Sequence, residues 1–325
     1  MEKKDLFLGV DTGGTGVKFV VTDRSGARVS SGEVSTDPRS IRESMERLAG
    51  AVAAPLGGAP GFPRLAGLGM ACAGIVNSAS GFLGRSPNLL GWQDTNLAAE
   101  IGVVFPGIPI ALVNDVNGAL YGEFQEGAGR GSRNLVMIAL GTGVGGGVIV
   151  DGALVLGTHF GAGEIGHMVL DPDGPTCTCG GRGCLEAWAG STGLVRRARE
   201  VAEAADPESP LARLVASHRA SLNTFEMAGL AQKGDPATTE IFHTAGRRLG
   251  QAVGNIVNLL DPDCVIIGGG VAQAGDLILG PCREAVPGLV LAAEAKNVPV
   301  VPAKLGPLAA SVGAACLARE AEQAG

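Results

Sequence analysis

Two glycine-rich turns, each set between apolar strands, constrain this 325-residue chain more than any other feature. The first is Asp11-Thr12-Gly13-Gly14-Thr15-Gly16-Val17-Lys18. It follows the apolar run Leu6 to Val10 and leads into a second run, Val17 to Thr22, closed by the Asp23-Arg24-Ser25-Gly26 turn. The second, Gly141-Thr142-Gly143-Val144-Gly145-Gly146-Gly147, lies within LVMIALGTGVGGGVIVDGALVLG, which again reads strand, turn, strand, turn, strand. Recurrence of this pattern at the start of two halves predicts an internal duplication of βββα units. Two nucleotide folds are excluded by the same spacing. A P-loop needs Gly-x4-Gly-Lys-Ser/Thr opening a helix, and the chain has no such string. A dinucleotide fold also needs its glycine turn to open a helix, whereas both turns here run into β-branched strands.

Phosphates would therefore sit against hairpins. That arrangement belongs to the actin-like ATPase fold, in which two ribonuclease H-like α/β domains, related by duplication, hold ATP in a cleft between them. The rest of the chain suits it. A helix over Ile41 to Ala54 with Ser40 as N-cap, strands at Leu65 to Met70 and Pro106 to Val113, and a helix from Asn117 to Gln125 complete the first half. Helical stretches Leu185 to Ala205 and Thr239 to Leu260, the strand Cys264 to Ile267 and a small-residue helix from Ala309 to Glu320 follow. The expected division is an N-terminal domain over 1–113, joined by the C-terminal helix 308–325, and a C-terminal domain over 114–307.

Composition narrows the function. Hydrophobic residues make up 46% and charged residues 18%, the balance of a folded chain. A formal charge of -7, with no basic run of five residues, argues against a nucleic-acid surface. ATP is still admissible, because glycine-turn amides and a metal can carry its phosphates. The longest apolar run, Leu135 to Val150, has sixteen residues and five glycines, short of the ~20 needed to span a bilayer. The start offers only five apolar residues, Leu6 to Val10, too few for a signal-peptide core, so a cytoplasmic address is expected.

Several residues carry chemistry. Amides of Gly13, Gly14 and Gly16 can approach phosphate oxygens closely, Thr15 adds a hydroxyl donor, and Lys18 adds positive charge. Asp11 beside phosphates would be repelled unless a cation intervened, which points to Mg²⁺ held directly or through water. Thr142 and Gly143 repeat the motif in the second half. Gly268-Gly269-Gly270, after the strand Val265 to Ile267 and before an expected helix from Val271, offers either a tight turn or room for an adenine or ribose. Asn114-Asp115 ends a strand, where an Asp is either a helix N-cap or a carboxylate facing a ligand. In a sugar-phosphorylating enzyme, Asp115 would be the base that accepts the hydroxyl proton.

Seven cysteines in a cytosolic chain point to thiols or metal. Cys72, Cys264, Cys282 and Cys316 lie among apolar neighbours as core thiols. His167, Cys177, Cys179 and Cys184 fall within eighteen residues and can close a tetrahedral zinc site with no open position, hence a structural one. Glu164 and Glu186 flank that set, as solvated charges or as acceptors for sugar hydroxyls.

Glu164-x-Gly166-His167 followed by Cys177-x-Cys179-Gly180-x2-Gly183-Cys184-x-Glu186 resembles the signature of the ROK family of sugar kinases and sugar-responsive repressors. The resemblance runs from Asp11 to the final helix. It implies an ATP-dependent hexose kinase acting on glucose, with N-acetylmannosamine, N-acetylglucosamine, mannose or fructose as other substrates of such enzymes. It also implies a homodimer or homotetramer, with polyphosphate as the alternative donor. By this likeness Asp11, Gly14, Thr15, Lys18 and Thr142 match phosphate and metal contacts. Asn114, Asp115, Glu164, His167 and Glu186 match sugar contacts, with Asp115 as catalytic base. Ser86-Pro87-Asn88-Leu89-Leu90-Gly91-Trp92 is similar to a stretch of the family's glucokinases, which places Asn88 on a sugar hydroxyl; Gly74 joins the expected sugar contacts. Two positions depart from the family pattern, Ala73 for a usual Pro and Gly16 for a usual Lys or Asn. A repressor would carry a DNA-binding segment before the first turn, for which Asp11 leaves no room.

Overall fold

The computed structural model describes residues 4–58, 61–86 and 89–324. The chain forms two compact units. One comprises Met1–Gly131, Ala153–Ala162 and Lys304–Gly325; the other comprises Ser132–Gly152 and Gly163–Ala303.

In the first unit, β1 (Leu6–Thr12), β2 (Gly16–Asp23), β3 (Arg28–Ser35), β4 (Leu65–Cys72) and β8 (Ile110–Asn114) form one sheet in the order β3-β2-β1-β4-β8. Three short strands, β5 (Val76–Asn77), β6 (Phe82–Leu83) and β7 (Thr95–Asn96), make a separate small sheet. β1 pairs antiparallel with β2 and parallel with β4, and all eight residues of β4 are buried, as expected of a parallel strand covered on both faces. One face is covered by α1 (Ile41–Val52) and α2 (Leu97–Val104). Ile41, Met45, Leu48 and Val52 recur at helical spacing toward Leu6, Leu8 and Val10, and Ser40 caps α1 through the amide of Glu43. Each fully buried Leu, Ile or Phe there contributes about 1.5–3 kcal/mol.

The other face receives α11 (Ala309–Ala324) and α3 (Asp115–Glu126). α11 lies so close that a Cβ at Gly69 would fall 1.8 Å from the Ala314 carbonyl oxygen, and one at Gly313 1.9 Å from that of Gly118. Small residues are thus required on both sides of the contact. This packing carries the first unit to Gly131, beyond the boundary at residue 113 read from the sequence, because α3 stacks on the C-terminal helix.

The second unit repeats the plan. β9 (Leu135–Leu140), β10 (Val144–Val150), β12 (Cys264–Gly268) and β13 (Val300–Pro302) form its sheet in the order β10-β9-β12-β13, while β11 (Ala153–Leu154) belongs to the first unit's middle segment. Again the first strand, β9, pairs antiparallel with β10 and parallel with β12. Helices α4 (Leu185–Ala189), α5 (Ser191–Glu203), α6 (Pro210–Ser217), α7 (Thr224–Gln232), α8 (Pro236–Leu260), α9 (Asp276–Ala285) and α10 (Ala293–Lys296) complete it. α8 buries Ile241, Ala245, Leu249, Val253 and Ile256 in the core, and Asp235 caps it through Thr238. Two helices differ from the sequence expectation. The stretch from Leu185 breaks at Gly190, whose extended backbone separates α4 from α5. Val271–Ala274 is a single 3₁₀ turn, and the helix proper begins only at Asp276. Among the described residues no helix is long and apolar enough to cross a membrane.

Candidate functional site

Each sheet ends its first hairpin in a glycine turn, and the two turns are braced alike. In the first, Gly13 N donates to Gly16 O at 3.0 Å. The Gly13 carbonyl accepts from the Thr36 hydroxyl at 2.8 Å, and the Thr15 carbonyl accepts from Thr36 N at 3.2 Å. In the second, Gly141 N donates to Gly143 O at 2.9 Å, while Ser191 N reaches the Gly141 carbonyl at 2.9 Å and Thr192 N the Thr142 carbonyl at 3.2 Å. The carbonyl oxygens of Gly13, Thr15, Gly16, Gly141, Thr142 and Gly143 are thus occupied. The amides of Gly14, Thr15, Thr142 and Gly143 donate to no protein acceptor among the described residues. Unpaired N–H groups beside satisfied carbonyls form an anion-accepting surface.

Two carboxylates stand at the strand ends of the first unit. Asn114, not Asp115, is the N-cap of α3: its Oδ1 accepts from Val116 N at 2.9 Å and Asn117 N at 3.2 Å. The Asn114 amide also donates to Gly74 O at 3.0 Å and to Asp115 Oδ1 at 2.9 Å. That corrects the capping alternative for Asp115 and leaves its Oδ2 without a hydrogen-bond partner among the described residues. Burial pushes the Asp115 carboxyl up, against the Val116 and Asn114 hydrogen bonds that favour its charged form. Asp11 is pushed up to about 6, first by burial, then by the charge of Asp115, with Lys18 opposing. Two half-buried carboxylates, the charge of Asp115 raising the proton affinity of Asp11, are a fitting seat for a divalent cation. Thr12 Oγ1 and Asn117 Oδ1, one and two residues along the chain from these carboxylates, are buried and have no hydrogen-bond partner among the described residues.

In the second unit the donor atoms of His167, Cys177, Cys179 and Cys184 all lie within 4.8 Å of one another. Cys179 Sγ stands 3.8 Å from Cys184 Sγ, and His167 Nδ1 stands 3.7 Å from Cys177 Sγ. Zinc bonded to sulfur and imidazole would place such ligands about 3.6–3.8 Å apart on a tetrahedron. His167 Nε2 and the exposed carboxylate of Glu164 have no partner among the described residues. Glu186 is differently placed. Its Oε2 accepts from Val144 N at 3.1 Å, and its Oε1 takes the Thr178 hydroxyl and lies 3.5 Å from Cys177 Sγ. Burial alone would raise its carboxyl, but the Thr178 and Val144 bonds outweigh it and hold the group low. Glu186 therefore ties the cysteine loop to the second glycine turn, where a Cβ at Gly143 would lie 2.2 Å from Oε2.

The triple glycine is partly a packing feature. Gly269 has φ +91°, and a Cβ there would meet the Leu140 carbonyl oxygen at 2.3 Å; a Cβ at Gly268 would meet Met137. Only Gly270 has open space around it. Asn88 lies outside the described residues. Sequence reasoning passed over Thr36, Thr178 and the Ser191-Thr192 pair. The one local signal for the pair is its place directly after Gly190 at a helix start.

One strand order used twice, with the same parallel and antiparallel pairs and a braced glycine turn in each sheet, defines an actin-like ATPase fold. A sequence model of the ROK family matches residues 7–321, and the chain belongs to that family. A glucokinase of Streptomyces coelicolor is 34% identical over 320 residues, covering 97% of this chain and 98% of the relative. A kanosamine kinase of Amycolatopsis mediterranei is 33% identical over 312 residues, covering 96% and 95%. Among solved structures, a ROK family glucokinase from Streptomyces griseus in complex with glucose and AMPPNP superposes with a TM-score of 0.79 at 33% identity, covering 97% of this chain and 99% of that one.

Proposed function

We propose that this chain is an ATP-dependent glucokinase that transfers the terminal phosphoryl group of ATP to glucose, giving glucose 6-phosphate. The observation that carries the mechanism is the free Oδ2 of Asp115, left over because Asn114 performs the capping. Asp115 takes the proton of the attacking sugar hydroxyl. The hydroxyl oxygen forms its bond to the terminal phosphorus as the bond to the bridging oxygen breaks, and ADP leaves. Phosphoryl transfer of this kind asks the protein for positioning and charge stabilisation more than for covalent chemistry. The unpaired amides of Gly14, Thr15, Thr142 and Gly143 accept phosphate oxygens, and Lys18 adds a positive charge. Gly270, the one member of its triplet with open space, admits the adenosine portion.

Asp11 holds Mg²⁺, directly or through water. When bound, that ion neutralises phosphate charge. His167, Cys177, Cys179 and Cys184 hold a structural Zn²⁺, supported by their spacing. With Nδ1 on the metal side, His167 presents Nε2, and Glu164 its free carboxylate, to sugar hydroxyls. A homo-oligomer rests on the family resemblance, and light scattering of the purified protein tests the assembly.

The relative that acts as a kanosamine kinase favours one second reading, an amino sugar as substrate. A coupled assay over glucose, kanosamine, mannose, fructose and the N-acetylhexosamines, with ATP or polyphosphate as donor, decides between them. Glucose with ATP is expected to give the highest kcat/KM. A higher value for an amino sugar would replace the substrate but keep the kinase. Asp115→Asn should lower kcat by ~10²–10⁴ with sugar affinity retained; turnover within about tenfold of wild type would reject Asp115 as the base.

A further inference from the structure

We infer that Glu33 makes the first glycine turn selective for a cation-complexed phosphoryl donor and hostile to a bare polyanion. The inference rests on the reading that this turn takes the donor's phosphates. Across β1, β2 and β3, Asp11 faces Lys18 and Lys18 faces Glu33, so the three charges form one row on one side of the sheet. Glu33 leans along that row toward the turn. A Cβ built at Gly16 would lie 2.1 Å from its Oε1 and 3.0 Å from its Cδ. The missing side chain at residue 16 is thus the space the Glu33 carboxylate occupies. Residue 16 ends the turn whose Gly14 and Thr15 amides are unpaired. Glu33 is exposed, and neither it nor Lys18 joins an ion pair among the described residues. Its charge also reaches inward, adding to the burial and the Asp115 charge that raise Asp11.

Ionised, Asp11, Glu33 and Asp115 oppose the single positive charge of Lys18. A fully ionised triphosphate or inorganic polyphosphate meets a net negative surface there. The same phosphates complexed with a divalent cation arrive with about half the charge and with the ion that Asp11 accepts. One solvated charge at such short range changes the binding of a highly charged anion on the order of threefold to tenfold. The substrate class this selects is a metal-complexed nucleoside triphosphate.

Glu33→Gln keeps the shape and removes the charge. Two measurements use the full-length protein. Calorimetry with metal-free tripolyphosphate reads anion affinity without catalysis, and glucose phosphorylation with ATP in excess over Mg²⁺ reads inhibition by free ATP. We expect Glu33→Gln to bind tripolyphosphate and free ATP on the order of threefold to tenfold more tightly, with a smaller fall in KM for Mg-ATP. Tripolyphosphate affinity unchanged within about twofold would overturn the inference, as would equal shifts for Mg-ATP and the bare anions. A wild-type protein that phosphorylates no hexose with ATP would instead sink the kinase reading, while the tripolyphosphate titration would still judge Glu33.

Discussion

Glu123 has no part in the proposed chemistry, yet its removal should be the most damaging single change in the first unit. Its side chain is fully buried on α3. Oε1 accepts from Lys304 N at 2.8 Å and Leu305 N at 2.7 Å, and Oε2 accepts from Ala128 N at 2.7 Å. Lys304 begins the chain's last return to this unit, and Ala128 stands shortly before its first departure after Gly131. One carboxylate thus fastens both segments to α3. There is little slack, since a Cβ at Gly127 would lie 2.0 Å from Oε2.

Glu123→Gln tests this with almost no change of volume. The amide oxygen can keep Lys304 N and Leu305 N, but the amide nitrogen then confronts the N–H of Ala128. One charge-assisted bond is lost and one buried donor is stranded, a cost of about 2–4 kcal/mol. Glu123→Ala strands all three donors and leaves a cavity, which raises the cost to about 4–6 kcal/mol. Urea denaturation at neutral pH measures both, and the ordering Ala worse than Gln worse than wild type is part of the expectation. A Glu123→Gln protein within about 0.5 kcal/mol of wild type would refute the reasoning, because the three amides would then be satisfied without the carboxylate.

Two further outcomes follow from the site. With a carboxyl raised from 3.8 to about 6, Asp11 contributes stability that is full below about pH 4 and lost as pH rises through about 6, up to about 3 kcal/mol. Asp11→Asn should therefore flatten the pH dependence of the cation-free melting temperature between pH 4 and 7; an unchanged slope would dismiss the raised carboxyl. Cys179→Ser should purify without stoichiometric zinc and lose thermal stability. It should weaken nucleotide as well as sugar binding, since Glu186 links the cysteine loop to Val144 beside the second turn. Calorimetry with each ligand checks it, and wild-type affinities for both in a metal-free variant would contradict it.

Much of this was legible because it is local. A glycine turn between apolar runs is written in consecutive residues, as are the cap at Ser40 and the closely spaced cysteines. What escaped depends on residues far apart in the chain. Glu123 finds two of its donors 181 and 182 positions away. The only hint in the sequence is a carboxylate beside the small face Gly118 and Gly122. Glu33 reads as an exposed charge on an edge strand until the register sets it opposite Lys18, from where its carboxylate reaches over Gly16. The 3₁₀ turn at Val271, where the sequence suggests a helix, has a similar origin. Gly269 packs on the Leu140 backbone of another strand, and that tight bend delays the helix to Asp276.

The order of two residues shows how fine the local reading must be. Asn and Asp are nearly equivalent as helix caps, so Asn114-Asp115 and the reverse would form α3 equally well. They would not serve chemistry equally well. With Asn at the cap, the amides of Val116 and Asn117 are met by a neutral oxygen, and the amide nitrogen is left to hold Gly74 O and one oxygen of Asp115. The carboxylate one position later receives only those few bonds, stays half-buried and keeps an oxygen free. With Asp at the cap, the helix amides would take the negative charge and hold its proton affinity down. A base must be ionised and yet basic enough to take a proton. Only the observed order leaves a carboxylate at this strand end with that freedom.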